Sequence, residues 1–195
     1  MYIASQKRKE NIAEYLIYMW QVEDMIRAND LDIDKIQKNI ITPSGLDEAR
    51  QRELRGWYES LIDMMRREDI QQKGHLQMNR NTLSQLVALH QTLLKDPRFP
   101  EYTTEFYRTL PYIVELRSKA GEHAAGEIET CFNALYGMLL MRLQGKEISA
   151  DTAAAIKQIS RFIALLARDF HLDEADKLFP HDDDEDSKSK CKTLR

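Results

Sequence analysis

YLIYMWQVEDMIRA, residues 15–28, is the stretch on which the fold turns. At 100° per residue, Tyr15, Leu16, Met19, Val22 and Ile26 continue a stripe begun at Ile12, and Ile17 and Trp20 widen it beyond one face. A stripe that broad predicts a helix with several neighbours, near the middle of a bundle. Glu23 falls near the centre of the same arc, so the projection buries a carboxylate among apolar side chains. Away from water that group needs a partner: a guanidinium, several hydrogen-bond donors, or a proton of its own.

Working outward, the first helix is expected from about Gln6 to Asn29. A short segment with Leu31, Ile33, Ile36 and Ile40 ends at TPSG, where Pro43 and Gly45 stop it and Ser44 with Asp47 can cap the next helix. Leu54, Trp57, Tyr58, Leu61 and Met65 stripe a third helix over roughly Leu46 to Gln72, and Gly74 breaks it from a fourth. That fourth helix carries Leu76, Leu83, Leu86, Val87, Leu93 and Leu94 and stops at DPRFPEY, because Pro97 and Pro100 withhold backbone donors. Pro111 predicts a bend in the fifth helix, about Thr103 to Lys119. Ile128, Phe132, Leu135, Leu139 and Leu143 mark a sixth; Ser149 caps a seventh with Ile156, Ile159, Ile163, Ala167 and Phe170, and Asp173 is placed to cap a last short turn.

These elements imply an all-α class: one compact bundle of about six to eight helices over residues 1–179, with a mobile charged tail over 180–195. Composition agrees. The chain has 195 residues, long enough for one substantial core, and its 7 glycines and 5 prolines leave little punctuation for a sheet-rich fold. A net charge of −4 gives no field to gather nucleic acid, and no run approaches the ~20 apolar residues of a membrane span. Cys131 sits in a helical pattern and Cys191 in the polar tail, so free thiols in a reducing, cytoplasmic setting are expected.

Projection of the other helices turns two cations towards the core: Arg117 lies with Phe106, Leu110 and Ile113, and Arg142 with Ile128, Leu135 and Leu139. His90 and Asn79 share a face with Leu83, Leu86 and Leu94, while Glu68 and Arg50 edge the third stripe. The preferred reading is a buried network in which Arg117 or Arg142 neutralises Glu23. The alternative is a pocket lined by Glu23, Arg117, Arg142 and His90 that takes a small anionic or zwitterionic ligand.

Motifs for phosphate loops, dinucleotides, zinc and nucleophile elbows are missing, and His123 with Glu127, four apart, is read as solvated; no metal or cofactor is expected. In RQRELRGWYESLIDMMRRED, carboxylates interleave with the arginines at pairing distance, which reads as a salt-bridged solvent face rather than a nucleic-acid surface. Met64, Met65, Met138 and Met141 can serve an adaptable partner groove or simply fill core.

QKRKENIAEYLIYMWQVEDMIRA, LPYIVELRSKAG and EIETCFNALYGMLLMRLQGKEIS together resemble a family of small proteins from Bacteroides-type bacteria that is known as a domain of unknown function. The resemblance covers about residues 1–179 and implies an all-helical cytoplasmic protein with no assigned activity and no site residues to carry over. The leading expectation is therefore a non-enzymatic interaction domain, adaptor or regulatory, with a protein partner or as a homodimer. A small-ligand binder or enzyme using the inward charges is the alternative.

Overall fold

Asn11 divides the first helical run in two. In the computed structural model, which describes residues 2–121 and 125–179, α1 (Tyr2–Glu10) ends and α2 (Ile12–Ala28) begins around this one residue. Its backbone is extended (φ −157°, ψ 107°) and its side-chain oxygen accepts from the N–H groups of Ala13 and Glu14 at 3.0 and 3.2 Å. The continuous helix expected from Gln6 to Asn29 is corrected accordingly: an asparagine within an apolar period can cap a helix as readily as pass through it.

After α2 the chain reverses through Asp30 and Leu31, both in the left-handed region, and closes the helix with Leu31 N–H on the Ile26 carbonyl at 3.0 Å. Asp32 caps α3 (Ile33–Ile36), which relaxes into a π turn at Gln37–Ile41 and a 3-10 turn at Thr42–Ser44 before Gly45. Asp47 then caps α4 (Glu48–Arg67), accepting from Arg50 N–H at 2.9 Å. On its outer side Arg50, Arg52, Arg55 and Arg66 pair with Asp47, Glu48, Glu59 and Asp63.

Four further helices complete the bundle: α5 (Gln77–Lys95), α6 (Pro100–Ala120), α7 (Glu127–Leu143) and α8 (Ala150–Glu174). Helix α6 runs through Pro111, which lies on the exposed face where water can satisfy the carbonyl it leaves unpaired. Ser149 caps α8 through Thr152 N–H at 3.2 Å. The separate last turn expected after Asp173 does not form, because α8 continues through that residue to Glu174. The described residues contain eight α-helices and no strand, which is the class read from the sequence.

One apolar cluster draws on every helix, with Leu16, Ile26, Met65, Leu76, Tyr102, Phe132 and Phe162 among its buried members. Nine of the 17 residues of α2 are buried, and α2 packs against α1, α5, α7 and α8. This is the central helix that the broad stripe requires. No helix among the described residues is long and apolar enough to cross a membrane. The expected tail at 180–195, with Cys191, and the histidine at 123 lie outside the described residues.

Candidate functional site

Helix α5 starts without a cap of its own. Its N-cap residue is Leu76, whose side chain accepts nothing, so the first N–H groups must find acceptors elsewhere. Two glutamates from earlier elements supply them. Glu23, fully buried on α2, takes Leu76 N–H on Oε1 at 2.9 Å and the Asn79 amide N–H on the same oxygen at 2.7 Å. Glu68, at the end of α4, accepts from Gln77 N–H at 2.6 Å. Carboxylates at a helix N-terminus also meet the positive end of its dipole.

The second oxygen of Glu23 lies 2.6 Å from Nδ1 of His75, whose ring stacks on Trp20 with centroids 4.2 Å apart and planes 15° from parallel. A carboxylate oxygen accepts, so the Nδ1–H of His75 is the donor of this hydrogen bond. The His75 side chain is 30% exposed against 0% for Glu23, so the imidazole covers the acid. Beside them Tyr136 O–H donates to Asp24 at 2.6 Å, and Asp24 receives Arg27 at 2.8 Å. Arg27 also donates to the Ile70 and Gly74 carbonyls, tying the α4–α5 connection to α2.

The expected guanidinium partner is thereby replaced. Neither Arg117 nor Arg142 is among the donors to Glu23, and among the described residues neither forms an ion pair. Arg117 is half-buried on α6 with a buried Nε that lacks a partner, and Arg142 is exposed in the last turn of α7. The physical reason is that helix phase gives a side chain's direction but not the depth at which its neighbour stops. The donors here are backbone N–H, imidazole and amide, of which only Asn79 carries a signal in the apolar pattern.

His90 forms a separate centre on α5. Its Nδ1 lies 2.7 Å from the Tyr102 hydroxyl and its Nε2 3.4 Å from Glu127, with Phe106 and Phe162 edge-on to the ring. Burial holds the imidazole below its ordinary pKa, opposed by Glu127, and burial raises that of the Tyr102 phenol. The consistent tautomer is neutral: Tyr102 donates to Nδ1, and Nε2–H donates to Glu127. Nearby, Asp169 is buried and pushed up by desolvation, while burial lifts the Cys131 thiol to about 12. No hydrogen bond joins this centre to Glu23 among the described residues.

A groove of about 330 Å³ between the first helices is lined by Tyr2, Ile3, Tyr18, Leu46, Arg50 and Leu54, and none of Glu23, Arg117, Arg142 or His90 borders it. Among the described residues no three His, Cys, Asp or Glu side chains gather as a metal site would require.

The other unusual surface is the end of α7. Leu139, Leu140, Met141 and Leu143 crowd its last turns with apolar groups and lie outside the core cluster, whereas Met138 beside them is buried. Leu139, Leu140 and Met141 are half-buried, and Leu143 is 69% exposed. Leu139 and Leu143 belong to the same stripe as the fully buried Ile128 and Phe132, so this face overhangs the core towards which it points. The sequence signal for this feature is GMLLMRL, residues 137–143, which lacks the polar face that a surface helix normally keeps.

Residues 1–177 match the family described as Domain of unknown function (DUF4924). No curated protein and no solved structure matches the chain.

Proposed function

We propose, from the premise that this chain belongs to the DUF4924 family, that it is a non-enzymatic protein–protein interaction domain of adaptor or regulatory type, working in the cytoplasm. The observation that carries the reading is the end of α7, where Leu139, Leu140, Met141 and Leu143 are left half-covered or exposed by their own bundle. A helix end of this kind is stable in water when something else covers it, and concentrated exposed apolar surface is the usual mark of a contact site. The buried acid supports the same reading. Glu23 has its oxygens engaged by three donors, which suits a role in holding α5 more than a role in turning over a substrate.

A second reading, a binder of small anions, draws on two observations: the buried Nε of Arg117 without a partner, and Arg142 without a carboxylate. It is the weaker of the two, because Glu23 and His90 are each committed to partners of their own.

The test is affinity purification from the protein's own host, comparing the parent with Leu140→Asp/Leu143→Asp. The interaction reading expects a stoichiometric companion chain with the parent that the double variant loses while keeping its helical circular dichroism. An identical set of companions with both proteins counts against it.

A further inference from the structure

We propose that the overhanging end of α7 is covered by a second copy of the same chain, set against it by a two-fold axis. This rests on the interaction reading above and specifies the partner.

Charge at this end of the bundle is of both signs. The tip where α7 returns into α8 carries Arg142 and Lys146 on one side of the turn and Glu147 and Asp151 on the other, all exposed. Among the described residues none of these four forms an ion pair within the chain, whereas on α4 Arg50, Arg52, Arg55 and Arg66 each have a carboxylate partner. Two free cations and two free anions within ten residues make the tip neutral as a whole and divided in halves. A surface of that pattern is complementary to itself when turned by 180°: the α7 end of one copy faces the α8 start of the other, and each cation meets an anion. A partner of single charge sign would leave one of the two halves opposed by like charge.

Shape agrees with this arrangement. The connection is fixed: Gly145 in the left-handed region closes α7 through Lys146 N–H to Met141 carbonyl at 3.0 Å, and Ser149 caps α8. The tip is therefore a short hairpin with a hydrogen-bonded closure at each helix end. Where α7 carries bulky leucines, the first turns of α8 carry exposed Ala150, Ala153 and Ala154, with Ile156 half-buried. Large side chains on one helix and small ones on its neighbour let two such hairpins interdigitate as a four-helix layer, α7 and α8 with their two-fold mates. Leu143 and Leu140 of each copy would then lie over the alanines of the other, removing from water the apolar surface that the single chain leaves exposed.

The test is sedimentation equilibrium of the purified full-length chain, 22.8 kDa per protomer, with three variants. The parent is expected to be a dimer, and Leu140→Asp/Leu143→Asp to raise the dissociation constant at least ~30-fold, as loss of a central anchor does, with unchanged far-ultraviolet circular dichroism. Arg142→Glu alone and Glu147→Lys alone each set like charges across the axis and should both weaken the dimer. Mixing the two variants restores opposite signs at both symmetry-related contacts, so the mixture should form a heterodimer about as tight as the parent. A parent that remains monomeric at its highest soluble concentration overturns the proposal, and so does a dimer indifferent to the leucine substitutions or a mixture no tighter than its components. The wider reading is separable: if the parent is monomeric but its host companion is lost on substitution of Leu140 and Leu143, the second copy is wrong and the interaction surface stands. If the chain is monomeric and no companion depends on those residues, both fail.

Discussion

Replacing Glu23 tests the origin of the α5 helix. In Glu23→Ala the N–H of Leu76 and the amide of Asn79 lose their acceptor in a site where Glu23 is 0% and Asn79 1% exposed. A buried donor left without a partner costs ~1–3 kcal/mol, so the two together account for ~2–6 kcal/mol. His75 adds less, since its ring retains access to water. A loss of about 3–5 kcal/mol is expected, equivalent to a melting temperature lower by ~6–20 °C in a chain of this size. Glu23→Gln separates hydrogen bonding from charge. Its carbonyl oxygen can still receive Leu76 and Asn79, while the new amide nitrogen faces His75, so its cost should stop near ~1–2 kcal/mol. Urea unfolding followed by circular dichroism and by tryptophan emission measures both, Trp20 reporting from beside His75. Two results refute the reasoning: an alanine variant within ~1 kcal/mol of the parent, or a glutamine variant as damaged as the alanine one. The second would mean that the charge itself, and not the hydrogen bonds to Leu76 and Asn79, carries the effect.

Other expectations are of the same kind. His90 is held below its ordinary value of 6.5 by burial, so its contribution to stability is complete above that pH and is lost as pH falls towards the lowered value, because the unfolded chain takes up the proton first. Stability curves of the parent and His90→Gln between about pH 7.5 and 5 should therefore converge as the pH falls, and parallel curves would contradict the assignment. Cys131, buried with its thiol raised to about 12, should react with an alkylating reagent only as fast as the chain opens; labelling of the folded protein in a Cys191→Ser background at the rate of a free thiol would show otherwise. Tyr136→Phe removes a 2.6 Å hydrogen bond to Asp24, which still has Arg27, and should cost ~1–2 kcal/mol by chemical denaturation.

Much of this architecture is written in side-chain period, and the parts that are not share one cause. The broad stripe from Ile12 to Ile26 specifies a central helix, and the same projection places Glu23, Asn79 and His90 in the interior, where all three are buried. Asp47 and Ser149 are recognisable as caps because a cap is a local device, settled within three residues. The enclosure of Glu23 is not local: its donors come from residues more than fifty positions away. One of them is a backbone N–H, which no residue type announces. Arg117 and Arg142 present themselves as partners because charge is the conspicuous feature of a sequence, whereas the vacant start of a helix is not. The overhang of α7 is hidden for a related reason. Leu139 and Leu143 keep perfect phase with Phe132, and phase does not say how far along a helix its neighbours continue.

Because the acceptor that starts α5 sits on α2, the order of the chain has a bearing on synthesis. Glu23 leaves the ribosome some fifty residues before Leu76, so the anchoring carboxylate is already present when the helix that depends on it emerges. A circular permutant opened in the α4–α5 connection would reverse that sequence of events, releasing an uncapped α5 long before its anchor exists. Such a protein should reach the same native state more slowly, with its longest delay in the segment that comes after Gly74.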